Sequence, residues 1–109
     1  MSTFDDREQA FEKKYAHDSE LQFRATARRN KLLGLWAAEA RGLAGDAAAA
    51  YAKEVVAAGL SADGDAAVRE RVAADLAASG AGIDAAAVAA RMAELMAEAK
   101  AQIATETPD

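Results

Sequence analysis

One histidine, no cysteine and eighteen carboxylates bound the chemistry open to this 109-residue chain. His17 stands beside Asp18 in a polar stretch, where an isolated imidazole reads as a surface group rather than a base or a ligand. Gly45-Asp46 precedes a run of alanine; a phosphate loop would need a second glycine and a lysine. Asp63 and Asp65 flank Gly64, but no bidentate acid follows at the distance a calcium loop requires. Without a thiol, and with no nucleophile, base and oxyanion donors that can be brought together, no catalytic centre assembles. The expectation is a protein that is not an enzyme and holds no metal.

The residues left for chemistry are suited to recognition. Phe4, Glu8, Phe11 and Tyr15 fall at i, i+4, i+7 and i+11, one stripe of a helix. Around them stand Asp5, Asp6, Arg7, Glu12, Lys13, Lys14 and Asp18. Aromatic anchors rimmed by charge suit a helix that docks in a partner's groove. With so little else apolar, residues 1–18 are too weak to fold alone. The other reading is a frayed terminus whose aromatics lie loosely on the rest of the protein.

A second group follows: Arg24, Arg28, Arg29 and Lys31, with no acid until Glu39. Arg28 projects into the apolar stripe of its helix and Phe23 to the opposite side. Phe23, Arg24, Arg28, Arg29 and Lys31 could form a secondary partner-facing or anion-binding face. Alternatively this is a solvated helix end whose arginines pair with the acidic arm or with another helix.

Four helical blocks must position these groups. Of the 52% apolar residues, 33 are alanine, and the single proline is Pro108. Alanine is the best helix former, and no stretch alternates like a strand. The fold class is therefore all-α. Block one runs from Ser19 to Arg41 with Leu21, Ala25, Leu32, Leu35, Trp36 and Leu43 as its stripe. Ser19 with Gln22 would make a capping box, Gly42 a stop, and Gly34 a close crossing by another helix. Block two, Asp46 to Ala58, has Asp46 as cap, the stripe Ala48, Ala52, Val55 and Val56, and Gly59-Leu60 as terminator. Block three, Asp65 to Ser79, carries Val68, Val72 and Leu76. Block four, Asp84 to Glu106, has Asp84 as cap with an Ile83–Val88 staple. Its stripe is Val88, Met92, Leu95, Met96, Ala99 and Ile103. Short connections favour antiparallel neighbours, hence a four-helix bundle over 19–106. Trp36, Leu32 and Met92 belong to its core. Residues 1–18 form a mobile N-terminal arm, disordered when free, and 107–109 a disordered tail. At −5 net charge, nucleic acid is not an expected partner. No apolar run is long enough to span a membrane.

Thr3-Phe4-Asp5-Asp6-Arg7-Glu8, Tyr15-Ala16-His17-Asp18 and Ala27-Arg28-Arg29-Asn30-Lys31-Leu32-Leu33-Gly34-Leu35-Trp36-Ala37-Ala38 carry a resemblance. The chain resembles the zeta subunit, the ATPase inhibitor of the alphaproteobacterial F-type ATP synthase. The likeness extends through Tyr51 to Val56, Val72 to Leu76 and Met92 to Ile103. It implies a four-helix bundle whose N-terminal arm enters the catalytic head at an alpha/beta interface near the rotor and blocks rotation in the hydrolysis direction. The arm residues it points to are Phe4, Asp5, Asp6, Arg7, Glu8, Phe11, Glu12, Lys13 and Tyr15. It further implies a cytoplasmic protein, peripheral to the inner membrane through the synthase and monomeric when free. An adenine nucleotide is a cofactor the resemblance raises, although no motif in the chain carries it. The alternative from another class is a general helical adaptor working through the basic face of helix one.

Overall fold

No proline and no glycine occurs between Thr3 and Gly34, so nothing in the backbone chemistry stops a helix over that span. The computed structural model describes the backbone of residues 3–106 and the side chains of 17–106. It contains α1 (Thr3–Ala40), α2 (Gly45–Ala58), α3 (Gly64–Ala78) and α4 (Ala85–Glu106), joined by short turns. Among the described residues there is no strand. The all-α, four-helix expectation holds.

Helix α1 is the spine: it packs against α2, α3 and α4, and α3 also packs against α2 and α4. Arg28 meets Glu106, while Arg91 lies over the Trp36 ring at 5.7 Å from its centre. The two pairs show α1 and α4 running antiparallel. At about 1.5 Å per residue α1 is ~57 Å long and α4 ~33 Å, so α1 extends well past the end of α4. The long axis of the molecule, 64 Å against 26 and 20 Å, follows from this.

The start of α1 departs from the sequence expectation. The helix runs through Ser19 without interruption, so the Ser19–Gln22 capping box does not form. His17, Asp18, Ser19 and Glu20 are all exposed. The aromatic stripe of Phe4, Phe11 and Tyr15 lies outside the described side chains, and the tail 107–109 outside the described residues.

The core contains Leu33, Ala37, Ala38, Tyr51, Val55, Val68, Val72, Leu76, Val88, Met92 and Leu95. The stripes of α3 and α4 are where the period placed them, with Met96 partly buried. That of α1 is rotated. Leu33 is fully buried, whereas Leu35 is 37% exposed. Leu32 and Trp36 are only half-buried against the core. The reason is that α1 has neighbours on several sides, so its buried surface is Ala25, Arg29, Asn30, Leu33, Gly34, Ala37 and Ala38.

Small residues set the closest approaches. A Cβ at Gly34 would sit 2.6 Å from Ala52 Cα, confirming Gly34 as a close crossing, by α2. A Cβ at Gly59 would collide with Asn30 Nδ2. Gly59 does end α2, as its C-cap, but in right-handed geometry with φ −69°, and the expected apolar contact of Leu60 is not made, since Leu60 is 65% exposed. We expect Gly59→Ala to destabilise the protein by about 1–3 kcal/mol, the usual range for overpacking, read from the midpoint of urea unfolding. The turn between α2 and α3 closes tightly, with Gly64 against the Gly59 carbonyl.

Two of the caps differ in kind. Asp84 Oδ1 accepts from Ala87 N–H at 2.9 Å, and Ile83 and Val88 are placed as a staple. Asp46, in contrast, does not cap α2: Ala44 is the N-cap residue and no side chain bonds there. Asp46 lies one residue inside, where its charge favours the positive end of the helix. Gly42, at φ +81°, does end α1, with Leu43 N–H donating to Ala38 O at 2.8 Å.

Candidate partner interface

The basic group on α1 is divided by the fold. Arg28 turns to α4, donating two parallel hydrogen bonds to Glu106, each 2.8 Å, and one to Gln102 Oε1 at 2.7 Å. The bidentate geometry holds the Glu106 carboxyl below the usual carboxylate range and pushes the Arg28 guanidinium up. Arg29 is 4% exposed. Its Nε and Nη2 donate to Asn30 Oδ1 at 3.0 and 2.9 Å, and Nη2 also to Asp65 Oδ1 at 2.7 Å. Arg29 is thus part of the bundle's internal polar network and is not on an open face. Lys31 and Phe23 remain exposed, and Arg24 is half-buried. The reading in which these arginines pair with another helix accounts for Arg28 and Arg29.

Two polar clusters tie the helices together. Asn30, buried, links Arg29 to the α2–α3 turn through its position against Gly59. Tyr51, also buried, donates its hydroxyl to Asp75 Oδ2 at 2.8 Å. Arg41 lies 4.7 Å from the Tyr51 ring centre, and Arg71 bridges Asp75 to Glu54. Burial first, then the bond to Asp75, pushes the Tyr51 phenol above its ordinary value. Tyr51, Asp75, Arg71 and Glu54 are engaged with one another, which describes a brace between helices. Sequence reasoning missed Asn30 and Tyr51; Asn30 stands within the basic stretch Arg28-Arg29-Asn30-Lys31, where nothing local marks it as buried.

Asp65 offers a pH test. The hydrogen bond from Arg29 holds its carboxyl below the usual range. A depressed folded-state value contributes stability above the unfolded pKa that is lost as pH falls through the folded one. The side chain is 68% exposed, so the contribution is modest. Urea midpoints measured from about pH 6 down to about pH 2.5 should fall on the acid side, and less steeply in Asp65→Asn.

What the arrangement provides is a braced bundle from which α1 continues. Its N-terminal stretch, Thr3 to Glu20, adds ~27 Å of helix that begins where the last described side chains are uncovered. No group of three or more His, Cys, Asp or Glu capable of holding a metal occurs among the described residues. No described helix is long and apolar enough to cross a membrane.

A model of the ATPase inhibitor subunit zeta family matches residues 1–102. The chain belongs to the zeta family of ATPase inhibitor subunits. The match takes in the N-terminal stretch as well as the bundle, so the zeta character is a property of nearly the whole chain. An ATPase inhibitor of this family implies association with the ATP synthase. No curated protein and no solved structure matches the chain. In this zeta subunit Arg28 pairs with Glu106 of α4 and Arg29 with Asp65 of α3, beside the core contacts of Leu33, Ala37 and Ala38.

Proposed function

We propose that this protein inhibits ATP hydrolysis by the F-type ATP synthase by inserting its N-terminal arm, residues 1–18, at a catalytic alpha/beta interface. The observation that carries the reading is the family match over residues 1–102, supported by the projection of α1 past the bundle. The arm is mobile in the free, monomeric protein and takes its inhibitory conformation on the head. Phe4, Phe11 and Tyr15 are the apolar anchors, because buried aromatics dominate interface energetics. Asp5, Asp6, Arg7, Glu8, Glu12 and Lys13 set register against charges around the groove. The bundle acts as a tether, raising the arm's effective concentration at the interface. Inserted beside the rotor, the arm stops rotation in the hydrolysis direction, and rotation in the synthesis direction expels it. The protein works in the cytoplasm, peripheral to the inner membrane, with no catalysis of its own.

A synthetic peptide of residues 1–20, added to purified ATP synthase from the same cell, tests this. Inhibition of hydrolysis is expected, at a weaker apparent affinity than the whole protein's. An inert peptide would favour a helical adaptor in which the arm plays no part.

A further inference from the structure

Between α1 and α2, on the outer side of the molecule, runs a groove of about 400 Å3 lined by Lys31, Leu35, Ala49, Ala52, Lys53 and Val56. Its floor is apolar and shallow, because Gly34 and Ala52 let the two helices meet closely there. Leu35 stands exposed on one wall. Lys31 and Lys53, both exposed, rise from the two helices. Leu60 follows the C-cap Gly59 just past the end of α2. On α1, Phe23 lies toward the arm from the point where Gly59 meets Asn30, about 120° around the helix from Leu35. Phe23 and Leu60, 60% and 65% exposed, are the most exposed large apolar side chains described. The apolar groove thus opens toward the end of the bundle from which the arm leaves.

We infer that this α1–α2 groove is a second docking surface for the synthase, and that its occupant is an acidic amphipathic helix of the catalytic head. The inference rests on the inhibitory reading above and adds the surface by which the bundle itself is held. Charge complementarity selects the occupant. The protein as a whole carries −5, yet this groove presents two lysines and no carboxylate among its lining residues. A helix with an apolar stripe can cover Leu35 and Val56 while carboxylates on its flanks reach Lys31 and Lys53.

The test uses the full-length protein and the purified ATP synthase head. The charge-reversed K31E/K53E variant changes two exposed side chains and leaves the core intact, which circular dichroism checks. It should inhibit to the same final extent as wild type but need roughly tenfold more protein for half-inhibition at low salt, in line with the loss of a pair of complementary charges. Added salt should narrow the difference. A half-inhibition concentration equal to wild type at low salt overturns the inference. A photo-crosslinking residue at Leu35 then identifies the occupant. Crosslinks to an acidic helix of the head support the proposal. Crosslinks to the protein's own arm, or to a second copy, overturn it. If wild type itself fails to inhibit, the inhibitory reading has failed; if wild type inhibits and the lysine variant matches it, only the groove has.

Discussion

Deletion of residues 2–14 is expected to abolish inhibition of ATP hydrolysis and to leave the bundle folded. Both halves follow from where burial begins. The first buried residue described in α1 is Ala25, and the core contacts follow from Leu33 onward. The deletion removes more than three turns of helix ahead of the first described buried residue. It also removes Phe4 and Phe11, two of the three aromatic anchors. Phe11→Ala alone should raise the half-inhibition concentration about thirtyfold, equivalent to ~2 kcal/mol, the scale of an interface hot spot. Circular dichroism and urea unfolding of the truncated protein would match those of the remaining wild-type residues. Retained inhibition at wild-type potency would move the inhibitory role from the arm to the bundle. Measured in parallel, ATP synthesis should be far less affected than hydrolysis by the intact protein; equal inhibition of both would contradict a one-way block of rotation.

The second large effect is on stability. Leu33→Ala should cost about 3 kcal/mol, within the 2–5 kcal/mol range for truncating a buried leucine. Leu33 has no exposed surface and sits in α1, the helix on which the three others pack. Removing its side chain leaves a cavity that close-packed helices cannot collapse without moving α1. In a domain this small, each 1 kcal/mol shifts the melting temperature by roughly 4–8 °C, so the variant should melt well below wild type. Leu35→Ala, two residues away, should cost less than about 1 kcal/mol, as surface changes do. Thermal melts of the two variants side by side separate the buried face of α1 from its exposed one; equal losses would place Leu35 in the core.

The contrast between these two leucines shows how far α1 could be read in advance. Both have the right hydropathy, and a stripe drawn through the larger side chains takes Leu32, Leu35 and Trp36. Of the expected stripe the structure buries Ala25, and it buries Leu33, Gly34, Ala37 and Ala38 in place of Leu35. Small residues carry almost no hydrophobic signal, yet they permit the closest helix contacts. In α3 the large apolar residues are few and spaced by four, and the period is enough: Val68, Val72 and Leu76 are all fully buried. The Asp84 cap was likewise legible, since an acid before a helix with a flanking apolar pair is local chemistry. Gly59 ends α2 as its position suggested, but its packing against Asn30, twenty-nine positions away, was not legible.

The amino-acid sequence by itself determined that the chain is helical, since alanine and the absence of internal proline leave little else. It determined the stop at Gly42, and its segment from Ala27 to Ala38 carried the family. It also placed an aromatic stripe ahead of the bundle, where it stands apart from the core periodicity. Only the tertiary structure decided which side of α1 faces inward. An alanine-rich helix offers several faces that a neighbour can approach, and their burial free energies differ little per residue. The choice is made by long-range groups: Ala52 against Gly34, Gly59 against Asn30, and Asp65 reaching Arg29. Arg29 is buried because a carboxylate thirty-six residues later meets it, and a buried charge is tolerated only when paired. No local pattern around Arg29 contains that carboxylate, so its inward position exists only once α3 has docked beside α1.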